Sequence, residues 1–344
     1  ALKGKNALGT DFTVPIQDIW KNKNYYGGLD YRDPKCAIDI VATEEGATTI
    51  KITPGDDLIN SAWGGLAYPG GNVRNHPTDP NTFTIVLQQG QTFSCMAYSR
   101  KPNRHLGGTR ITSDKKIAVT YSDDSVKPAG CYDLIGDQLI PKDITGTEYI
   151  AMKGRLWNSV KDRVLVFPLY DNTEVEVYTA PGPPVATITL NVGDIWDYAF
   201  TTNYAFVKGT DPDKPFYCQH ISGKGCELGG AVLPAINKCT GSLQVGFTRS
   251  NSRNFWLNLM VRTGAEDDFH VYKGGVEMLP CPLQPGDFNP IPGTADWLSA
   301  QVEFGTGDVP VGAAMMVTND SDLFHLGAFN GSNTGGCSYG YFSD

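Results

Sequence analysis

The sequence predicts an all-β fold of two to three consecutive β-sandwich units related by an internal repeat. Sixteen Tyr, fifteen Phe and many Val, Ile and Thr residues favour strands. The 39 Gly and 22 Pro residues supply frequent turn signals, and long runs of helix formers at helical spacing are missing. Landmark residues also recur in the same order along the chain, which indicates duplication.

The first unit is predicted over residues 1–142. Short turn signals at 45–46, 54–55 and 89–90 separate its apolar runs, as in a β-sandwich. The predicted strands are 36–43, 48–54, 81–88, 91–100 and 117–123.

The second unit is predicted over residues 143–241 and repeats the order of the first. Its predicted strands are 164–171, 173–180, 186–191, 194–201 and 215–221. The matched landmarks support duplication of a sandwich whose loops changed length. They are Gly9-Thr-Asp-Phe12 with Gly146-Thr-Glu-Tyr149, Trp20 with Trp157, Leu87-Gln-Gln-Gly90 with Leu190-Asn-Val-Gly193, and Gly130-Cys131 with Gly225-Cys226.

A third unit, residues 242–344, matches the repeat more weakly. Strand-like runs continue through it, and Gly336-Cys337 follows the last of them, as Gly-Cys pairs follow the earlier sets. The number of units is therefore two or three.

The net charge of -9 argues against nucleic acid as a partner, because a phosphate-binding surface needs clustered Lys and Arg. It leaves a cationic or neutral partner open. No run of eighteen apolar residues exists, so no membrane span is predicted.

The eight cysteines are even in number and include no C-x-x-C pair, which disfavours a zinc site. Disulfides in an oxidising compartment are favoured over buried free thiols. The pairings that spacing suggests are Cys226 with Cys239, Cys281 with Cys337, and Cys36 with Cys95, which leaves Cys131 for Cys218.

Motifs for catalysis or metal binding are missing from the sequence. No two of the five histidines form a metal motif; His220 and His325 are expected to be structural, and His76 and His105 solvated. The nucleophile elbow G-x-S-x-G is absent, and adjacent Asp pairs fall in turns. Asp211-Pro-Asp213 and Asp320-Ser-Asp322 could offer oxygens to calcium, but neither fits an EF-hand loop. We therefore predict no enzyme, no metal and no cofactor.

Aromatic residues in two loops are the candidates for a binding surface. Trp63 and Tyr68 lie in a Gly- and Pro-rich loop over about residues 60–81, and Tyr25 and Tyr26 form a second aromatic loop. Exposed loop aromatics often contact proteins or sugars. The other five tryptophans lie in or beside strand patterns and are expected in the core.

Three segments of the chain resemble the IgG Fc-binding protein N-terminal domain family. They are Gly130-Cys-Tyr-Asp-Leu-Ile-Gly-Asp-Gln-Leu-Ile-Pro141 with the following 146–150, Gly225-Cys-Glu-Leu-Gly-Gly-Ala-Val-Leu-Pro234 with Cys239-Thr-Gly-Ser242, and Gly340-Tyr-Phe-Ser343. Members occur in animal mucus proteins and in secreted or surface proteins of bacteria. Short strands and compact turns favour a bacterial, Bacteroidetes-like member.

The resemblance implies a non-catalytic recognition or adhesion protein in the extracellular space or at the cell surface. Its implied partner is a host glycoprotein, mucin or immunoglobulin, with glycans included. Two alternatives stay open: a stalk or self-assembling subunit of a surface appendage, and a polysaccharide-active enzyme on a sandwich scaffold. Fold resemblance alone does not transfer function.

Overall fold

The computed structural model describes residues 3–25, 33–54, 74–76, 79–97, 99–238 and 240–342. The protein is all-β, as predicted, and the described residues contain no α-helix. Among the described residues, short 3-10 turns precede the first strand at Gly4–Ala7 and connect later strands at Pro102–Arg104, Lys142–Ile144 and Pro285–Asp287. None of the described residues forms a helix long and apolar enough to cross a membrane.

The first sheet is organised around one long strand. β7 runs for 17 residues, well beyond the predicted 117–123, and pairs with β1, β2, β3 and β8. Beyond these partners, β6 pairs with β2, and β5 joins β3 to β4. The strands are β1 Gly9–Thr13, β2 Cys36–Ala42, β3 Ala47–Thr53, β4 Arg74–His76, β5 Asp79–Gln88, β6 Thr92–Met96, β7 Arg110–Val126 and β8 Asp133–Gln138.

Two sheets follow in the middle of the chain. One has the order β10-β16-β11-β14 with β17 paired to β16, and the other has the order β13-β12-β15-β9. The strands are β9 Glu148–Met152, β10 Arg155–Leu156, β11 Asp162–Pro168, β12 Thr173–Tyr178, β13 Ala186–Leu190, β14 Trp196–Phe200, β15 Tyr204–Gly209, β16 Phe216–Gly225 and β17 Glu227–Val232.

Strand β11 is buried on both faces, because its successive side chains point to opposite sides of the sheet. Val164 and Val166 pack into the core of the middle sheets. Leu165 and Phe167 pack instead into the core that also holds the first sheet. The first and second predicted units therefore share a hydrophobic core.

The last two sheets enclose a third core. Their orders are β18-β24-β20-β21 and β22-β23-β19-β25-β26. The strands are β18 Gln244–Phe247, β19 Asn254–Arg262, β20 Phe269–Lys273, β21 Val276–Glu277, β22 Asn289–Pro290, β23 Trp297–Phe304, β24 Met315–Asn319, β25 His325–Gly331 and β26 Cys337–Phe342.

Strand β17 packs closely against the flanking strands β8 and β26 because it carries two glycines. A Cβ atom on Gly230 would lie 2.4 Å from Cγ2 of Ile135 in β8. A Cβ atom on Gly229 would lie 2.7 Å from Cβ of Tyr339 in β26. Any larger residue would force the strands apart, so the Gly-Gly of the 225–234 segment has a packing reason.

The burial of most aromatic landmarks agrees with the sequence, with one exception. Trp256 and Trp297 are buried, and Trp20 and Trp196 are partly buried against a core. Trp157 is 43% exposed, which corrects its expected place in the core. His220 and His325 are fully buried, which confirms their structural assignment. The boundaries of the three repeat units stay a prediction.

Candidate binding site

The segment from Lys21 to Asn24 forms one wall of the candidate site. Asn22 bridges to Val126 of β7 in antiparallel fashion, and the Lys23 amide donates to the Ser125 carbonyl at 2.9 Å. In extended backbone, neighbouring side chains alternate in direction. Asn22 accordingly points inward and is buried, whereas Lys21 is exposed and Lys23 half-buried.

The pocket at this wall has a volume of about 440 Å³ and is strongly basic. Five of its ten lining residues are cationic and none is acidic. We call it the basic pocket; it is lined by Lys21, Asn22, Lys23, Asn24, Ser99, Arg100, Lys101, Pro102, Lys127 and Tyr132. This concentration of positive charge stands out in a chain of net charge -9.

Only one of the five cations is neutralised by a described carboxylate. Arg100 Nε pairs with Oδ2 of buried Asp33 at 2.8 Å, and Oδ1 of Asp33 accepts the Tyr25 amide at 2.8 Å. The four lysines of the pocket form no ion pair with any residue that the structure describes. The pocket thus presents positive charge that no carboxylate of the described residues compensates.

Two tyrosine rings hold one of these lysines in place. The ring centroids of Tyr25 and Tyr132 are 6.5 Å apart, and Lys23 Nζ lies 4.2 Å from the first and 3.8 Å from the second. Lys127 Nζ lies 5.2 Å from the Tyr132 centroid. These are cation–π distances. Tyr25, predicted from the sequence as a contact residue, is 51% exposed and does not itself line the basic pocket, but its ring contacts Lys23, which does.

A buried polar network anchors the pocket wall from below. Asp123 accepts a hydrogen bond from Asn22 Nδ2 through Oδ1 and one from Gln17 Nε2 through Oδ2, both at 2.6 Å. His105 Nδ1 lies 2.8 Å from the Gln17 carbonyl and 3.4 Å from Asp123 Oδ2. His105 is 3% exposed, so the expectation that it is solvated was wrong. The loop that carries His105 folds inward, where the ring interacts with the buried Asp123 carboxylate.

The Asp123 carboxylate shifts the pKa values of its neighbours His105 and Cys36. Burial lowers the pKa of His105, but the Asp123 carboxylate and several hydrogen bonds outweigh burial, and the net pKa is raised. Burial and Asp123 together raise the pKa of the Cys36 thiol well above its ordinary value. Cys36 is thus held as a thiol, which makes it a poor nucleophile.

Cys36, His105 and Asp123 bring three ligand-type atoms within 4.8 Å of one another. Each already has a protein partner: the Leu106 amide donates to Cys36 Sγ at 3.2 Å, and the bonds of the other two are given above. The cluster therefore behaves as a hydrogen-bonded core network, and we assign no metal to it.

The only disulfide among the described cysteines joins Cys131 to Cys226, with Cα atoms 5.5 Å apart. It corrects the predicted pairings of both residues, and it links two positions that the repeat alignment had matched with each other. Cys36 and Cys95 are free and buried, as is Cys218. Cys281 and Cys337 are also unpaired, whereas Cys239 lies outside the described residues. Spacing failed as a guide because strands far apart in sequence meet here.

Two acidic residues lie close to the disulfide, and we call Cys131, Cys226, Asp133 and Glu227 the cysteine corner. Burial and a hydrogen bond to Glu227 raise the pKa of Asp133 to about 8. The Asn333 carbonyl, from the loop before β26, accepts the Cys226 amide at 3.2 Å. The corner therefore ties together parts of the chain that the sequence assigns to three different units.

The structure describes only some of the other predicted site residues. Tyr26, Trp63 and Tyr68 lie outside the described residues, so their role stays a prediction. At the two calcium candidates, Asp211 Oδ1 accepts the Asp213 amide at 2.9 Å and Asp320 lies 3.5 Å from His270. The pocket lysines were missed because they come from three separate stretches, 21–23, 100–101 and 127, none of which is a basic run.

Comparison with known families decides the relationship of the chain. The family model described as IgGFc binding protein matches residues 2–318. The chain belongs to this family. No curated protein sequence matches the chain. The IgGFc-binding family is a class of binding proteins and not of enzymes, and its match spans both the basic pocket and the cysteine corner.

Proposed function

We propose that this protein is an extracellular or cell-surface recognition protein that holds a host glycoprotein through the basic pocket. The observation that carries the proposal is the convergence of four lysines without a described ion-pair partner in one concave site. Membership of the IgGFc-binding family supports a protein partner. Mucins and immunoglobulins are the glycoproteins of this class that the sequence suggests.

The position of the protein outside the cytoplasm is supported by its covalent chemistry. The Cys131–Cys226 bond is the kind of crosslink that persists in oxidising compartments. Its partners are 95 residues apart, so the bond closes a long loop.

The proposal predicts that removing charge from the pocket weakens binding without unfolding the protein. Lys21 and Lys101 are exposed, and neither side chain forms an ion pair with a described residue. A Lys21→Ala/Lys101→Ala variant changes net charge by the same amount as Lys51→Ala/Lys273→Ala, whose two lysines are exposed on β3 and β20. The second pair is the matched control for nonspecific electrostatics.

Surface-immobilised mucin glycoprotein, whole IgG and its Fc fragment are the probes, and binding is measured by interferometry. We expect at least one probe to bind with a Kd of about 10 μM or tighter. The pocket variant should weaken that binding by about tenfold or more, and the control variant by less than twofold. Equal loss in both variants, or no binding of any probe at about 100 μM, would overturn the proposal.

A further inference from the structure

We infer that the ligand of the basic pocket is an anionic saccharide, bearing sulfate or carboxylate groups, on the partner glycoprotein. The inference rests on the proposed function and names the chemistry of its contact. It follows from three features of the pocket. These are its positive charge, the placement of Lys23 between two tyrosine rings, and the predominance of lysine over arginine.

The sign of the charge comes first. Lys21, Lys23, Lys101 and Lys127 face one pocket without a described carboxylate opposite them. Like charges repel, and an anion placed among them would be attracted by all four. Two exposed acids, Asp18 and Asp124, lie three residues from a pocket lysine in sequence, and neither lines the pocket; Asp124 Oδ1 accepts a hydrogen bond from the hydroxyl of Ser125. A neutral ligand would leave the repulsion among the lysines unrelieved.

The second feature is preorganisation. Lys23 Nζ lies between two tyrosine rings, so its ammonium keeps a fixed place without the help of a carboxylate. A cation held by π faces retains N–H donors for a ligand, because neither ring accepts them as a carboxylate would. Fixing the group before binding lowers the entropic cost of capturing an anion.

The third feature is that lysine rather than arginine dominates. Planar bidentate recognition of a single phosphate is typical of Arg clusters. The one pocket arginine, Arg100, already pairs with Asp33 through Nε. Lysines act as separate point charges, which suits several anionic groups spaced along a chain of sugars. Ser99, which also lines the pocket, adds a hydroxyl that can meet a sugar hydroxyl.

The test uses lactose, 3′-sialyllactose and sulfated lactose as probes of the whole chain, with affinities from isothermal titration. We expect at least one anionic probe to bind about tenfold or more tightly than neutral lactose. A Lys23→Met variant keeps the apolar stem and removes the charge, so it should weaken that probe about tenfold, whereas Lys23→Arg should restore most of the affinity. Thermal unfolding of each variant establishes that it is folded.

Enzymatic treatment of the bound glycoprotein separates this inference from the proposed function. Sialic acid, sulfate or both are removed from mucin in separate samples. Binding should be abolished in the samples from which the recognised group has been removed. If binding survives both treatments and still depends on Lys21 and Lys101, the pocket contacts protein and the saccharide inference is wrong. If the free anionic and neutral probes bind equally, the inference also fails. If untreated mucin, whole IgG and its Fc fragment all fail to bind, the proposed function itself is wrong.

Discussion

The basic pocket and the cysteine corner adjoin each other in the chain, with Tyr132 of the pocket between Cys131 and Asp133 of the corner, yet they treat charge in opposite ways. In the pocket, the lysines around Tyr132 form no ion pair with any described carboxylate. One residue later, Asp133 is buried against Glu227, beside the disulfide. The lysines of the pocket are available to a partner, whereas the carboxyl groups of the corner interact with each other inside the fold.

This difference assigns recognition of a partner to the pocket and stabilisation of the fold to the corner. Burying like-charged carboxyl groups costs free energy, and the structure tolerates the cost where a covalent bond and two glycine-lined strand contacts fix the junction. Exposed lysines cost the fold little. We therefore expect changes at the corner to alter stability and changes at the pocket to alter binding, and each prediction tests that division.

The largest effect should come from the disulfide. Replacing Cys131 and Cys226 with Ala should lower the free energy of unfolding by about 2–4 kcal/mol, because a long loop is released in the unfolded chain. Chemical denaturation gives the value, and Cys337→Ser, at an unpaired cysteine, is the control. Affinity for the anionic probe at low temperature should change less than twofold. A variant that keeps its stability and loses binding would reverse the assignment of the two regions.

The second effect is charge reversal in the pocket. Lys23→Glu/Lys127→Glu should weaken the anionic probe about 100-fold, equivalent to about 2.7 kcal/mol, since attraction becomes repulsion. Added salt should weaken the wild-type complex more than the variant complex, because screening acts on the lysines that the variant lacks. Titration calorimetry at two ionic strengths measures both. A variant that binds as tightly as wild type would place the ligand elsewhere.

The third effect is the pH dependence of the corner. The pKa of Asp133 rises from its ordinary 3.8 to about 8 in the folded protein. Between these values the folded protein retains a proton that the unfolded chain releases, so this group lowers stability as pH increases through that window. Glu227→Gln removes the like charge, and we expect it to raise stability at pH 8 by about 1 kcal/mol.

The Glu227→Gln variant should differ little from wild type at pH 4, because Asp133 is protonated there in the folded state and carries no charge that could repel Glu227. Denaturation curves at the two pH values supply the comparison. Glu176→Gln, at an acidic residue on β12 outside the corner, is the matched control. Equal effects of Glu227→Gln at both pH values would show that the carboxyl pair does not set the pH dependence.

Much of the fold could be predicted because alternating β-branched and aromatic residues specify strands locally. Strand β17 escaped prediction because Gly229 and Gly230 have low strand propensity, and their value depends on β8 and β26 packing against them. His105 was misplaced for a similar reason. A polar loop looks solvated until Gln17 and Asp123, 88 residues before it and 18 after it, are brought to it by folding.

The candidate site could be predicted only in part. Tyr25 was named as a contact candidate because a loop aromatic is visible in the sequence itself, and its role in binding stays a prediction. The pocket lysines were not, since their convergence depends on Asn22 bridging to β7 and on the 99–102 loop. The disulfide was mispaired because spacing along the chain carries no information about which strands become neighbours. Local sequence patterns thus predict individual strands, whereas the candidate site is formed by contacts between segments that are distant in sequence.

The smallest effect tests the boundary between the two regions, at Tyr132. Tyr132→Leu keeps an apolar side chain beside Cys131 but removes one of the two rings that hold Lys23. Cation–π contacts at exposed sites contribute about 0.5–1 kcal/mol, so affinity for the anionic probe should fall about two- to fivefold. The free energy of unfolding should change less than it does in the disulfide variant. Tyr170→Leu, which removes a similar contact with Lys142 outside the pocket, should leave affinity unchanged. Equal losses of affinity in the two tyrosine variants would mean that the ring at Tyr132 does not position Lys23 for the ligand.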